Sequence, residues 1–221
     1  MDSKKKLKIA LILNIIIVIL ELGALSWMGI ASIIDEDKPS PFNFYTFDSN
    51  VVLCIVCAFS IYFIIKALKN NETVLSKKAN YIKLAGVGCT TLTFLMVVCY
   101  LWIPAGWAAM AGSYNFFLHI ICPPLAFVSY VFFERYEEIN KYTAMIPSLA
   151  MTLIYGITMI VLIIFDVGYV AYPFLDVKVN PVYVTILSSV GIAIAISLMG
   201  FLLRLFNSLA HKDKIMPIDE K

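Results

Sequence analysis

Two side chains beside long apolar runs could supply a base and a nucleophile. His119 is one of only two histidines in the chain, and the other, His211, lies in the polar C-terminal tail. A neutral imidazole accepts protons near neutral pH. Thr46 precedes another apolar run, and a threonine hydroxyl becomes a competent nucleophile when a neighbouring base removes its proton. If folding brings Thr46 and His119 together, the pair is suited to acyl transfer.

Each candidate also has a plainer interpretation. Thr46, like Asp48 and Ser49, suits the N-cap position of a helix, where a side-chain oxygen accepts a backbone N–H. His119 is also compatible with a neutral histidine that hydrogen-bonds a neighbouring helix. Glu21 lies inside the first apolar run and is compatible with a partner role, paired with a tyrosine or an asparagine of another helix.

The elements that must position these residues are membrane-spanning helices. The chain is 61% hydrophobic and 14% charged, whereas soluble domains have about 45–50% apolar and about 25% charged residues. A spanning helix needs about 20 mostly apolar residues. The sequence therefore predicts an all-α, polytopic integral membrane protein with one transmembrane domain over residues 1–221. The six predicted spans are about Ile9–Ile34, Ser49–Leu68, Tyr81–Pro104, Tyr114–Phe133, Ala144–Phe165 and Pro181–Leu205.

The distribution of lysine and arginine predicts the orientation of these spans. With the N-terminus inside, 15 of the 17 basic residues fall in inner segments, and only Lys38 and Lys178 fall in outer ones. Cytoplasmic loops carry such an excess of positive charge. Both termini are therefore predicted to be cytoplasmic.

This topology brings the polar residues of several segments to a similar depth, near the outer face. Thr46 and Asn50 are four residues apart and share a helix face if the second helix already includes them. Ionisable groups inside a membrane are functional candidates because burying them is costly. The residues predicted to converge are Glu21, Thr46, Asp48, Asn50, His119, Tyr172 and Asp176.

The sequence gives no indication of a cofactor or a metal. All cysteines fall inside apolar runs, where they suit packing better than a disulfide framework. Cys54 and Cys57 form a CxxC pair, but no second pair or nearby histidine completes a metal site. No basic face exists outside the loops, so nucleic acid is not an expected partner.

Four short segments in a fixed order carry a resemblance to a known family. They are Phe44–Asn50, Leu118–Pro123, Pro147–Gly156 and Tyr172–Asp176. In order and spacing they resemble the androgen-induced protein family of membrane threonine hydrolases, and more closely its bacterial six-helix relatives. The resemblance extends over about residues 40–205.

The resemblance implies hydrolysis of fatty acid esters of hydroxy fatty acids by one threonine and one histidine. Thr46 falls on the family's threonine position, and His119 falls on its histidine position before the proline. The segment after Thr46, Asp48–Asn50, follows the bacterial form of the motif, so the exact substrate does not transfer from the animal branch. Asn50, Tyr172 or backbone N–H groups at the start of the second helix would stabilise the oxyanion, and Glu21, Asp48 or Asp176 would orient His119.

Two other functions remain open. A proton-coupled transporter would use Glu21 and His119 as a proton relay. A non-catalytic membrane partner protein would tolerate the loss of both Thr46 and His119. Lysine outnumbers arginine 15 to 2 and isoleucine is abundant, which indicates an AT-rich bacterial genome and hence a bacterial plasma membrane. The expected partners are the lipid bilayer and an acyl-ester lipid substrate.

Overall fold

The structure is a computed structural model that describes residues 2–35, 37–101 and 113–212. Within these ranges the chain is helical, apart from loops and an isolated β-bridge between Leu75 and Tyr136. The long helices are α1 (Ser3–Ile34), α2 (Tyr45–Lys69), α3 (Lys77–Met96, continued by π-helical turns over Val97–Leu101), α4 (Phe116–Phe133), α5 (Ile146–Ile164, preceded by a 3-10 turn over Thr143–Met145) and α6 (Val182–Ala210).

These helices confirm the predicted all-α architecture with six spans. Each is long and apolar enough to cross a membrane. The outward faces carry large apolar side chains; on α6, for example, Ile186, Leu187 and Ile194 are more than half exposed. Such a surface is suited to lipid rather than to water, so the chain has the character of an integral membrane protein.

Several helices extend beyond the apolar runs that predicted them. α1 begins at Ser3, six residues before the predicted start, because Asp2 caps it by accepting the backbone N–H of Lys4. α2 begins at Tyr45, four residues before the prediction. Polar residues continue a helix past the hydrocarbon as long as their backbone bonds are made, so hydropathy alone underestimates helix length. The predicted end of the third span, Pro104, lies outside the described residues.

α4 lies at the centre of the bundle and packs against α1, α2, α3 and α6. We call the end where α1 begins and α6 ends the proximal end, and the end where α1 ends and α2 begins the distal end. Close approach of α2 and α3 depends on Gly86, where a Cβ atom would lie 2.9 Å from Cα of Leu53. A larger residue there would force these helices apart.

A buried ion pair ties the proximal half of the bundle together. Nζ of Lys83 lies 3.3 Å from Oε1 of Glu134, and neither side chain is exposed. Oε1 of Glu134 also accepts from Nδ2 of Asn14 at 2.8 Å and from Oγ of Ser129 at 2.6 Å, and Oε2 accepts from the hydroxyl of Tyr136. Buried charges persist only when paired and hydrogen-bonded in this way.

The same network reaches α2 and α6. Lys83 also donates to Oδ1 of Asn14 at 2.5 Å and to Sγ of Cys57 at 3.3 Å. On the far side, Nδ2 of Asn207 donates to the backbone oxygens of Tyr130 and Glu134 at 2.6 and 2.7 Å. Lys83, one of the basic residues counted in the inner segments, lies near the start of α3 and is fully buried.

Candidate active site

Thr46 lies in the first turn of α2, at the distal end of the bundle, and is half-buried. Phe44 occupies the N-cap position and provides no side-chain bond to the helix. The interpretation of Thr46, Asp48 or Ser49 as N-caps is therefore wrong, because all three lie inside the helix. A helix start without its own side-chain cap leaves its first backbone N–H groups to bond an oxygen atom from elsewhere, and here the oxygen of Tyr172 accepts those of Tyr45 and Thr46.

Tyr172 approaches this helix start from the loop between α5 and α6. Burial raises the pKa of its phenol, and Asp48 adds to the rise, while the Thr46 side chain and the backbone of Tyr45 and Thr46 act in the opposite direction. The Tyr172 hydroxyl thus lies beside the Thr46 hydroxyl and the first N–H groups of α2. These groups together form a cluster of donors next to a potential nucleophile.

Aromatic contacts fix the position of this helix start. The Tyr45 hydroxyl is 2.7 Å from Oγ1 of Thr152, and the Tyr155 hydroxyl donates to the backbone oxygen of Asn43 at 2.7 Å. The Tyr155 ring contacts the rings of both Tyr45 and Tyr172, with centroids 5.2 and 6.4 Å away. Edge-on ring pairs of this kind add about 0.5–1.5 kcal/mol each, so the nucleophile's surroundings are held rigidly.

Asp176 has a local role in the same loop. Its Oδ1 accepts the backbone N–H groups of Lys178 and Val179 at 3.0 and 3.3 Å. These bonds shape the turn that leads into α6. Asp48 is half-buried on the side of α2 that faces Tyr155 and Tyr172.

His119 lies on α4, in π-helical turns over Phe116–Ile121. The cause is local: Pro123 and Pro124 have no N–H, so the His119 carbonyl has no donor four or five residues ahead. Short π-helical segments are frequent at functional sites. The imidazole is 7% exposed, and its Nδ1 has no hydrogen-bond partner in the part of the chain that the structure describes.

Glu21 is fully buried in α1, and neither carboxyl oxygen is hydrogen-bonded within the described ranges. The expected tyrosine or asparagine partner is thus missing from these residues. The groups that interact with this carboxyl are thiols. The Cys122 thiol on α4 contacts it, and the Cys54 thiol on α2 is close enough for an electrostatic interaction with it. Cys122 is one turn from His119, so Glu21 and His119 lie in the same region of the bundle.

Asn50 completes this region from α2. Its Nδ2 donates to the backbone oxygen of Thr46 at 2.7 Å, so its Oδ1 points away from that bond. Oδ1 is buried and has no partner among the described residues. Because Thr46 offers a carbonyl, the amide cannot rotate by 180° without losing the bond.

Helix register places Glu21 and Asn50 at one depth. Lys83 contacts Asn14 of α1 and Cys57 of α2, so these two residues face each other. α1 and α2 are joined by a short connection and run antiparallel. Seven residues from Asn14 and from Cys57, in the distal direction, the two helices carry Glu21 and Asn50.

We call Glu21, Asn50 and His119 the acceptor cluster, because each buries at least one unsatisfied polar atom. Thr46 is one helical turn beyond Asn50 on the same face of α2, as predicted. Nδ1 of His119 does not hydrogen-bond Thr46 within the described residues, and the predicted catalytic pairing stays a prediction. The thiols of Cys54 and Cys122, which the sequence assigned to packing, border this cluster.

Comparison with protein families, curated proteins and solved structures found no match to this chain. The resemblance to the membrane threonine hydrolases consequently rests on the four motifs alone. The function must be inferred from the arrangement of the side chains themselves.

Proposed function

We propose that the chain is a membrane-embedded lipid-ester hydrolase in which Thr46 is the nucleophile and His119 is the general base. The observation that carries the proposal is the unpartnered, buried Nδ1 of His119, which lies on a π-helical segment that packs against α2, the helix whose first turn holds the Thr46 hydroxyl. An unsatisfied buried polar atom costs about 1–3 kcal/mol, and such atoms are retained where they serve binding or catalysis.

In the proposed reaction, His119 takes the proton of the Thr46 hydroxyl as its oxygen attacks the ester carbonyl carbon. The carbonyl electron pair moves to oxygen, and the resulting oxyanion accepts hydrogen bonds from the Tyr172 hydroxyl and the first N–H groups of α2. Collapse breaks the bond to the alcohol, which leaves with the proton from His119. Water then attacks the acyl-threonine, again with His119 as base, and releases the fatty acid.

An apolar cleft supports the choice of an acyl substrate. It has a volume of about 310 Å³, and its walls include Pro123 and Phe127 of α4, Phe94 of α3 and Leu203 of α6. A cavity of about 150 Å³ holds benzene, so this cleft has room for roughly twelve carbon atoms. Pro123 is one turn from His119, and an acyl chain in the cleft would begin close to the proposed base.

A proton-coupled carrier is the second candidate, favoured by one observation. Asn14 and Glu21 lie on one face of α1, and Cys57 connects the Lys83 network with the region of Glu21. Polar groups therefore follow each other along the bundle axis, as a proton path requires.

The proposal is tested with purified protein in liposomes, using a fluorophosphonate probe and long-chain acyl esters. We expect the probe to label Thr46, and Thr46→Ala to abolish both labelling and hydrolysis, while Thr46→Ser retains part of each. His119→Ala should lower turnover by about 10²–10⁴-fold. Thr90→Ala is the matched control, since Thr90 is a buried threonine whose hydroxyl bonds its own helix at 3.0 Å.

A proton-flux assay on the same liposomes separates the two candidates. Unchanged hydrolysis in a Thr46→Ala, His119→Ala double variant would contradict the proposed mechanism. Proton flux that depends on His119, together with no hydrolysis of any ester, would identify a carrier. Absence of both hydrolysis and proton flux in the correctly folded, unsubstituted protein would favour a non-catalytic partner protein.

A further inference from the structure

The acceptor cluster contains buried polar atoms that have no hydrogen-bond partner among the described residues. Asn50 offers a buried carbonyl oxygen without a partner among the described residues, while one N–H of its amide is bonded to the Thr46 carbonyl. Both Glu21 oxygens are likewise open within the described residues, and His119 adds an unbonded Nδ1. A ligand that satisfies the Asn50 oxygen must bring a hydrogen-bond donor, whereas a carboxyl and an imidazole can each donate or accept.

The charge around the cluster restricts the ligand further. The segments between the apolar runs at the distal end contain six acidic residues and only two basic ones, Lys38 and Lys178. Both lysines are already paired with surface carboxylates, Lys38 with Asp35 at 3.1 Å and Lys178 with Asp166. A phosphate would meet repulsion and no free cation here, because charged partners are what bind phosphate.

The surroundings also exclude a strongly charged donor. Glu21, Asn50 and His119 are flanked by Leu53, Cys54 and Cys122, all buried. A cation held by one carboxyl in such a setting has a large desolvation cost. A neutral hydroxyl donates one bond and accepts another at much smaller cost.

We infer that the acceptor cluster binds the free hydroxyl of a neutral lipid. This inference rests on the proposed function. The substrate is then a neutral ester with a free hydroxyl, of the monoacylglycerol type. Its acyl chain lies in the apolar cleft, and its hydroxyl bonds Glu21 and Asn50. Phospholipid esters are then poor substrates, because the distal end offers no free cation to their phosphate group.

Binding is tested without turnover, in phosphatidylcholine nanodiscs, which contain no lipid hydroxyl. The probe is 1-O-hexadecylglycerol, an ether that cannot be hydrolysed, and the control is its dimethyl ether, in which both hydroxyls are capped. We expect the probe to raise the Tm by about 5–10 °C at about 100 times its Kd. The dimethyl ether should give no such rise.

Two variants test whether the rise in Tm depends on the acceptor cluster. In Glu21→Leu the hydroxyl-dependent rise should be lost, whereas Ser60→Ala should keep it. Ser60 is a matched control because it is a buried polar residue of α2 whose hydroxyl bonds the backbone of Val56 at 2.8 Å. An equal rise with both lipids, or a full rise in Glu21→Leu, would overturn the inference.

Hydrolysis assays then separate this inference from the proposed function. We expect a monoacylglycerol to be cleaved at least tenfold faster than its dimethyl ether or phosphatidylglycerol. Hydrolysis of all three at similar rates would overturn the hydroxyl site but leave the hydrolase. A hydroxyl-dependent rise in Tm with no hydrolysis of any ester would leave the site and remove the hydrolase.

Discussion

Asn14 and Glu21 lie two turns apart on the same buried face of α1, and only Asn14 is satisfied. Asn14 has bonds to Lys83, Ser129 and Glu134, whereas both Glu21 oxygens lack a hydrogen-bond partner among the described residues. Complete polar networks stabilise a fold, and incomplete ones reduce its stability. The proximal network accordingly holds the helices together, and the distal cluster is the part of the bundle available for a ligand.

Replacing Glu21 by leucine should therefore raise stability and lower activity. Leucine fills a similar volume without an unpaired carboxyl, so we expect the free energy of unfolding to increase by about 1–3 kcal/mol. Thermal unfolding in detergent measures this change, and ester hydrolysis of the same sample measures the loss of function. A drop in both stability and hydrolysis would show that the Glu21 carboxyl has a bonding partner and stabilises the fold.

Substitutions in the proximal ion pair of Lys83 and Glu134 should lower stability, in contrast to Glu21→Leu. Lys83→Met leaves the Glu134 carboxylate buried without its cation, and Glu134→Gln does the same to Lys83. Each is expected to cost about 3–5 kcal/mol. The double variant should be less unstable than the sum of the two single ones, because it leaves no unpaired charge. Lys78→Met is the control, since Lys78 is an exposed neighbour on α3; an equal loss there would contradict the prediction.

Hydropathy predicted the number and order of the helices because a membrane span leaves a long apolar run in the sequence. It did not predict that Lys83 is buried, because a lysine near the end of a span has the same sequence pattern whether it faces water or a buried carboxylate. Glu134 offered a signal: it closes the fourth span at the same end of the bundle as Lys83. Pairing opposite charges at one end of two spans would have suggested the ion pair.

The distal site was predicted as a set of residues but not as an arrangement. Depth along each span brought Glu21, Asn50 and His119 to one level, and the structure packs their helices together. Which acid approaches His119 depends on helix rotation, which the sequence does not specify. The bonds of Asp176 to its own loop and the burial of Glu21 became visible only with side chains in position.

The orientation in the membrane is a prediction of its own, and single cysteines test it. Cys99 is the exposed native cysteine, so it is first replaced by serine. Lys78→Cys should then react only with reagents that enter the cytoplasm, and Val179→Cys, at a position that is 79% exposed, should react with an impermeant maleimide on intact cells. Labelling of the residue 78 variant from outside would reverse the orientation and place the candidate site at the inner face.

Tyr172 gives the sharpest test of the proposed oxyanion site. Tyr172→Phe keeps the ring contacts with Tyr155 and Phe174 but removes the hydroxyl beside Thr46. Loss of one oxyanion donor costs about 10²–10³ in kcat, and we expect the lower part of this range, because the N–H groups of α2 remain. KM should change little, since the bond forms mainly in the transition state.

Tyr169→Phe is the matched control, because Tyr169 lies in the same loop and is half exposed. A Tyr172→Phe enzyme with unchanged kcat would assign the oxyanion to the backbone alone, and one with raised KM and unchanged kcat would assign Tyr172 to substrate binding.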